Sequence, residues 1–304
     1  MPMPASAVHD DPQTVVRTFL PIGRILCPID FSDGSRAAVD RAVALARPTQ
    51  AEITGVFVLP SFAPAGRETD SSPCAVEADA SMMSAIAEDI EEFLEPARKA
   101  GLSVRACVER GDSVARILAQ ADKTDADVIV MGTHGRSGVK RWMLGSVLDG
   151  VLLKASCPVL AVRRPPRRSM APGRMHGRIL CAVGLSERSA YTLSYALELG
   201  RSMGSSVTVL HVSGDLGGPR ARALWESEQR KKLHAAVPRE CPCEEVVLSG
   251  QAHRQILRLA EARRTGLIVL GSDSRGLGPT ASRVVREARA PVLVVPFPSD
   301  ERAS

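Results

Sequence analysis

Aromatic residues make up only 3% of this 304-residue chain, which argues against single-stranded nucleic acid held by base stacking. Long apolar runs are missing as well, so no stretch reads as a membrane span. The opening "MPMPASAVHDDPQTVVRTFL" lacks the basic-then-apolar layout of a secretory signal, and a cytoplasmic location is expected. Several chemical signatures are also absent. There is no G-x-x-x-x-G-K-[ST] loop, no G-x-S-x-G elbow and no H-E-x-x-H helix. A P-loop NTPase is thereby excluded, and nothing points to an elbow nucleophile or a helix-borne metal.

Seven cysteines are present, but the number is odd and their setting is apolar. Cys27 and Cys181 sit inside strand-like runs and Cys157 stands just before one, which suits buried reduced thiols better than a disulfide framework. Cys241-Pro-Cys243 has no second Cys pair or His cluster at ligand spacing, so we read it as structural and expect no metal site.

The net charge is +5, which would suggest a polyanion partner until the charge is located. Arg163, Arg164, Arg167, Arg168, Arg174 and Arg178 all fall around "RRPPRRSMAPGRMHGR". Without those six the chain is nearly neutral. The stretch is rich in Pro and Gly and has no helical or strand period, so it reads as a solvated linker. Neither a nucleic acid nor a membrane partner is expected.

On either side of that linker the chain repeats itself. "GRILCPIDFSDGSRAAVDRAVALARPTQAEITGVFV" begins at Gly23, and "GRILCAVGLSERSAYTLSYALELGRSMGSSVTVLHV" begins at Gly177 and aligns with it without a gap. "DVIVMG" is answered by "GLIVLG", and "CPVLAV" by "APVLVV". Such internal similarity marks a duplicated unit. The divisions read as a tail over 1–20, a first domain over 21–164, a linker over 165–177, a second domain over 178–298 and a tail over 299–304.

Within each copy, β-rich runs alternate with helix-like segments. In the first, strands are predicted near Arg24–Ile29, Glu52–Leu59, Ser103–Glu109, Ala126–Met131 and Pro158–Val162. Val39, Ala42, Val43 and Ala46 keep helical spacing, as do Ile86, Ile90, Phe93 and Leu94. Ser32 is placed to cap the first helix. The strands are continuously apolar, as expected when helices cover both faces. The expectation is an α/β chain with two open parallel sheets built from right-handed crossovers. The polar stretch "PSFAPAGRETDSSPCAVEADA" after the second strand of the first copy reads as a long loop.

The glycines are concentrated where a ligand would sit. "GTHGRSGVKRWMLGS" follows an apolar strand, and in open parallel sheets ligands bind beyond the carboxyl ends of the strands. Gly132 and Gly135 would let backbone N–H groups approach a phosphate closely. Gly145-Ser146 opens a helix whose free N–H groups favour an anion, and the Ser146 hydroxyl would cap that helix or donate to a phosphate oxygen. Arg136, Lys140 and Arg141 would supply positive charge. Asp30 ends the first strand, where an acid can hold ribose hydroxyls or simply complement a helix start.

With these residues in view, the chain resembles the universal stress protein family. Gly132-x-x-Gly135, nine residues and then Gly145-Ser146 is similar to that family's nucleotide-binding signature, and "ILCPIDFS" and "CPVLAV" to its first and last strands. The resemblance covers both halves, from about Ile22 to Phe297. It implies five-stranded, Rossmann-like sheets of order 3-2-1-4-5, which bring Asp30 beside the glycine loop. It also implies an adenosine site formed by Pro28, Asp30, Ser32, main chain at Val58, and Met131. Gly132, Gly135, Arg136, Gly145, Ser146 and the Val147 backbone would surround the phosphates of ATP, with or without Mg2+. Family resemblance further implies pairing through the last strands, here within one chain, and leaves a homodimer open.

The second copy departs from this pattern. Gly184 stands for Asp30 and Ser274 for Gly135, and Pro279 removes an N–H from the expected cradle. Gly276-x-Gly278-x-x-Ala281 matches a dinucleotide fingerprint by chance, since it starts several residues after its strand. We expect no ATP there, only packing or regulation. His134 is the one candidate for acid–base work near a phosphate, and no catalytic residue is assigned. A nucleotide-binding regulator of the stress response is therefore favoured over a weak ATPase or nucleotide-transferring enzyme, and over a module that works without nucleotide.

Overall fold

The structure, a computed structural model, describes residues 22–60, 73–133, 144–163, 177–214, 219–239, 241–272 and 276–297. The first half runs β1 (Arg24–Pro28), α1 (Asp33–Ala46), β2 (Glu52–Leu59), α2 (Pro73–Phe93), α3 (Glu95–Lys99), β3 (Val104–Arg110), α4 (Ser113–Lys123), β4 (Val128–Gly132), α5 (Ser146–Lys154) and β5 (Val159–Val162). The second runs β6 (Arg178–Ala182), α6 (Glu187–Ser202), β7 (Ser206–Ser213), α7 (Pro219–Ala236), β8 (Glu244–Ser249), α8 (Ala252–Ala262), β9 (Leu267–Gly271), α9 (Pro279–Glu287) and β10 (Val292–Val295).

Each half has the expected strand order, but the two sheets are one. The sequence of strands across it is β3-β2-β1-β4-β5-β10-β9-β6-β7-β8. All neighbours are parallel except at the centre, where β5 and β10 run antiparallel with Val159 opposite Val294, Leu160 opposite Leu293 and Ala161 opposite Val292. The strand that would otherwise end each sheet as an exposed edge is thereby paired.

Side-chain alternation on the strands sorts the core into two layers. Ile25, Cys27, Val128 and Val130 point to the face covered by α1, α2, α6 and α7, while Leu26, Ile129 and Met131 point to the face covered by α4, α5, α8 and α9. Both layers run through the joint from one half into the other. The expected helical stripe of α1 is buried throughout, with Val39, Ala42 and Ala46 fully enclosed.

One expected loop is shorter than the sequence suggested. Helix α2 already starts at Pro73, where proline at a first helical position lacks only an N–H that would have no partner there. The remainder of that loop, residues 61–72, lies outside the described residues. So do the tails and the 164–176 portion of the arginine-rich linker. No helix among the described residues is long and apolar enough to cross a membrane.

Candidate functional site

The parallel order places the carboxyl ends of β1 and β4 side by side, because these strands pair directly. Ile29 continues the ladder briefly, its N–H donating to Val56 O at 2.8 Å. The chain then turns sharply into α1. Phe31 takes a positive φ of 60° there, and its ring packs on Phe57 and edge-on to Phe93 at centroid distances of 5.3 and 5.5 Å. That aromatic cluster anchors a backbone conformation that non-glycine residues seldom adopt.

The turn fixes Asp30. Its Oδ1 accepts from the Ser32 N–H at 3.1 Å, from Ser32 Oγ at 2.6 Å and from Ser35 Oγ at 2.7 Å. Ser32 is also the cap of α1, as its spacing predicts, accepting from the Ser35 N–H at 3.2 Å. The carboxylate is thus half-buried, held in one orientation, and close to the N-terminus of α1, where negative charge is favoured. Ser35 was not among the residues singled out from the sequence. Its signal was the Ser-x-x-Ser spacing after the strand, which the second copy repeats as Ser186 and Ser189.

Across the crevice, Gly132 has a packing reason to be glycine. A Cβ there would lie 2.6 Å from the Gly34 carbonyl carbon, so the end of β4 and the first turn of α1 touch backbone to backbone. This close approach leaves no side chain between the strand end and the helix start. Thr133, also unforeseen, closes the base of the following loop. Its N–H donates to Val162 O at 2.9 Å, and its carbonyl accepts from the Gly145 N–H at 3.0 Å. Gly135 and Arg136 lie within 134–143, outside the described residues, as do His134, Lys140 and Arg141.

Gly145 itself is the cap of α5, in extended conformation and with no side-chain cap. Ser146 is the first helical residue, one place past the cap position, so its hydroxyl does not cap the helix. The first-turn N–H groups of α5 are left to other acceptors. Val58 and Val147 pack partly buried against the layer that contains Met131. All three belong to the layer on the α4 and α5 side of the sheet.

The repeat shows what such an arrangement encloses. At the corresponding place in the second half lies a cavity of about 370 Å³. Ala182, Gly184, Ser186 and Val212 line it, at the positions that match Pro28, Asp30, Ser32 and Val58. Leu270 and Gly271, matching Met131 and Gly132, close one side. Gly278, Pro279 and Thr280, at the start of α9, stand where Gly145, Ser146 and Val147 open α5. Every expected site residue of the first half that the structure describes therefore has its counterpart on the wall of one cavity.

Neither C-x-C cysteine joins such a site, and among the described residues no group of three or more His, Cys, Asp or Glu could hold a metal. Cys243 is partly buried, and that burial, with Glu245 and Cys241 nearby, raises its thiol pKa.

The universal stress protein family model matches residues 21–163 and again residues 175–296. The chain belongs to this family. A universal stress protein of Mycolicibacterium smegmatis is 29% identical over 297 residues, 89% of this chain and 96% of the relative. One from Methanocaldococcus jannaschii is 32% identical over 152 residues, covering 47% of this chain and 84% of the relative. The crystal structure of a universal stress protein from Archaeoglobus fulgidus covers 90% of this chain and 98% of its own, with a TM-score of 0.68 and 23% identity. That likeness shows the shared tandem α/β fold.

Proposed function

We propose that the first half binds an adenine nucleotide, ATP in the first instance, and that the protein serves as a nucleotide-gated regulator in the stress response. The observation that carries this reading is the coincidence of Asp30, fixed by three hydrogen bonds, with the close-packed Gly132 and the start of α5 at one crevice. The residues present fit the group. Asp30 would hold ribose hydroxyls beside Pro28 and Ser32, with Val58 main chain and Met131 along the adenosine. Gly132, Gly145, Ser146 and the Val147 N–H, joined by Gly135 and Arg136, would surround the phosphates. When bound, ATP supplies the negative charge that the α5 N-terminus and the basic loop read. Mg2+ would enter with the phosphates rather than as a resident ion.

Binding is favoured over turnover because no described side chain at the crevice is placed as a base for an attacking water. The second half would take no triphosphate, since Gly184 brings no carboxylate and Pro279 no N–H.

Calorimetric titration of ATP into the wild type and Asp30→Ala tests the reading. One site per chain is expected, near micromolar or about −8 kcal/mol, weakened by the substitution, with negligible ADP formed over hours. Catalytic accumulation of ADP would instead favour an enzyme. No heat at millimolar ATP would leave a module that works without nucleotide.

A further inference from the structure

Phe31 separates Asp30 from Ser32 in the chain, and these two bond to each other across it while it holds a φ of 60°. A side chain of this size in the left-handed region is an outlier, and such a conformation persists only where its surroundings enforce it. The same turn in the second half supplies the contrast. Leu185 stands there for Phe31 and takes no positive φ.

The surroundings differ in step with the backbone. The Phe31 ring meets Phe57 and, edge-on, Phe93. Arg36, in α1, then reaches the same Phe93. Its guanidinium lies 3.5 Å from the centre of that ring, and its Nη1 donates to the Phe93 carbonyl at 2.8 Å. One cation thus holds both the ring and the last carbonyl of α2. In the second half Ala190 stands for Arg36 and His211 for Phe57, and His211 Nδ1 lies 3.0 Å from the Val183 carbonyl. Stacked rings, cation, positive φ and carboxylate occur together in the first turn, and none of the four occurs at the matching places of the second.

The turn is held from its other side by the backbone contact between Gly34 and Gly132. Releasing the aromatic side lets residue 31 return to an ordinary φ. That rotation parts Asp30 Oδ1 from the Ser32 N–H and hydroxyl, because the rotating bond lies between them.

We infer that Phe31, Phe93 and Arg36 are positioning residues for the ribose, holding the positive φ that aims the Asp30 carboxylate. They act through Asp30 rather than on the nucleotide. The inference rests on the nucleotide site proposed for the first half and names what sets its orientation.

Phe31→Leu and Arg36→Ala, which copy the second half, and Phe31→Gly test this in the full chain. ATP and 2′,3′-dideoxy-ATP, which lacks the hydroxyls that Asp30 would hold, are titrated by calorimetry. Phe31→Leu should weaken ATP about fivefold and Arg36→Ala about threefold. Dideoxy-ATP should change little, so that the preference between the two shrinks. Phe31→Gly should unfold at lower urea than Phe31→Leu, since it buries less, yet bind ATP more tightly, since glycine takes positive φ freely. Without ligand, exchange of the Ser32 N–H should quicken about fivefold in Phe31→Leu and Arg36→Ala while core amides of β1 hold their rates. The inference is overturned if both nucleotides weaken alike, if Phe31→Gly binds ATP less well than Phe31→Leu, or if Ser32 exchange is unmoved. Should the wild type bind no ATP, the nucleotide reading falls, and Ser32 exchange alone decides whether these residues orient Asp30. Arg36 is exposed and alanine occupies its place in the second half, so that variant reports even if the Phe31 variants do not fold.

Discussion

Asp30 and Gly184 occupy the same place in two copies of one fold, each followed by the same two serines. In the first copy the serines orient a carboxylate; in the second, Ser186 Oγ and Ser189 Oγ bond each other. Nothing steric requires that difference, because a side chain would fit at Gly184. The paired glycines at the ends of β4 and β9 differ in the opposite sense. A Cβ at Gly132 would strike Gly34 backbone, whereas one at Gly271 would lie 2.5 Å from the Thr192 hydroxyl. The first site is closed by main chain, which cannot yield locally, and the second by a side chain, which can. Duplication kept the scaffold of the crevice and changed its lining.

The comparison breaks most severely at the joint that the halves share. Leu293→Ala removes a side chain that is 2% exposed and opposite Leu160. It should cost about 2–5 kcal/mol, with both halves losing stability in one urea transition. Two separate transitions, with the first half unmoved, would show that the joint does not couple them.

Next in size is the glycine pair. Gly132→Ala should cost about 1–3 kcal/mol by forcing β4 and α1 apart, and ATP binding should fall with it. Gly271→Ala should cost less, and adding Thr192→Ala should recover most of that loss in the same unfolding assay. Equal costs for the two glycine variants would refute the distinction between main-chain and side-chain closure.

A smaller effect is expected at the acids. Asp30→Ala should weaken ATP by about tenfold, or 1.4 kcal/mol, while Gly184→Asp alone should change stability by no more than about 0.5 kcal/mol.

The smallest effect is one that both halves share, and it is nil at neutral pH. Cys27 and Cys181 are fully buried at matching positions. Burial drives the Cys27 thiol far above its ordinary range and the Cys181 thiol from 9.0 up to about 12. Raised thiol pKa values mean that the folded chain holds protons which the unfolded chain releases. Stability is therefore fully present below about pH 9 and should decline as the pH rises from there towards 12. Replacing both residues with alanine should flatten that decline, read as the urea midpoint against pH.

Much of this organisation was legible in the residues. Continuous apolar strands, the gapless repeat and the Ser32 cap all act over short distances, and each appears in the structure where its pattern places it. What the pattern does not carry is how strand ends meet. "PVLAV" and "PVLVV" show two good strands, but their antiparallel register and the fusion of two sheets into one depend on contacts between distant residues. Gly132 was read for a phosphate, and its contact with Gly34 shows that helix packing constrains it as well. Pro279 and Gly184 set the second copy apart from the first in the sequence itself. Thr192 and Ile256, which line the cavity there, were singled out by no motif.

The antiparallel pairing of β5 with β10 has a consequence for how these sites can change. In a symmetric pair of identical chains, every substitution enters both sites at once, so neither can be altered without altering the other. Here the two partners are joined covalently, and dilution does not separate them. The two copies can then differ, Asp30 against Gly184 and Ala38 against Thr192, while the shared sheet holds both in one fold.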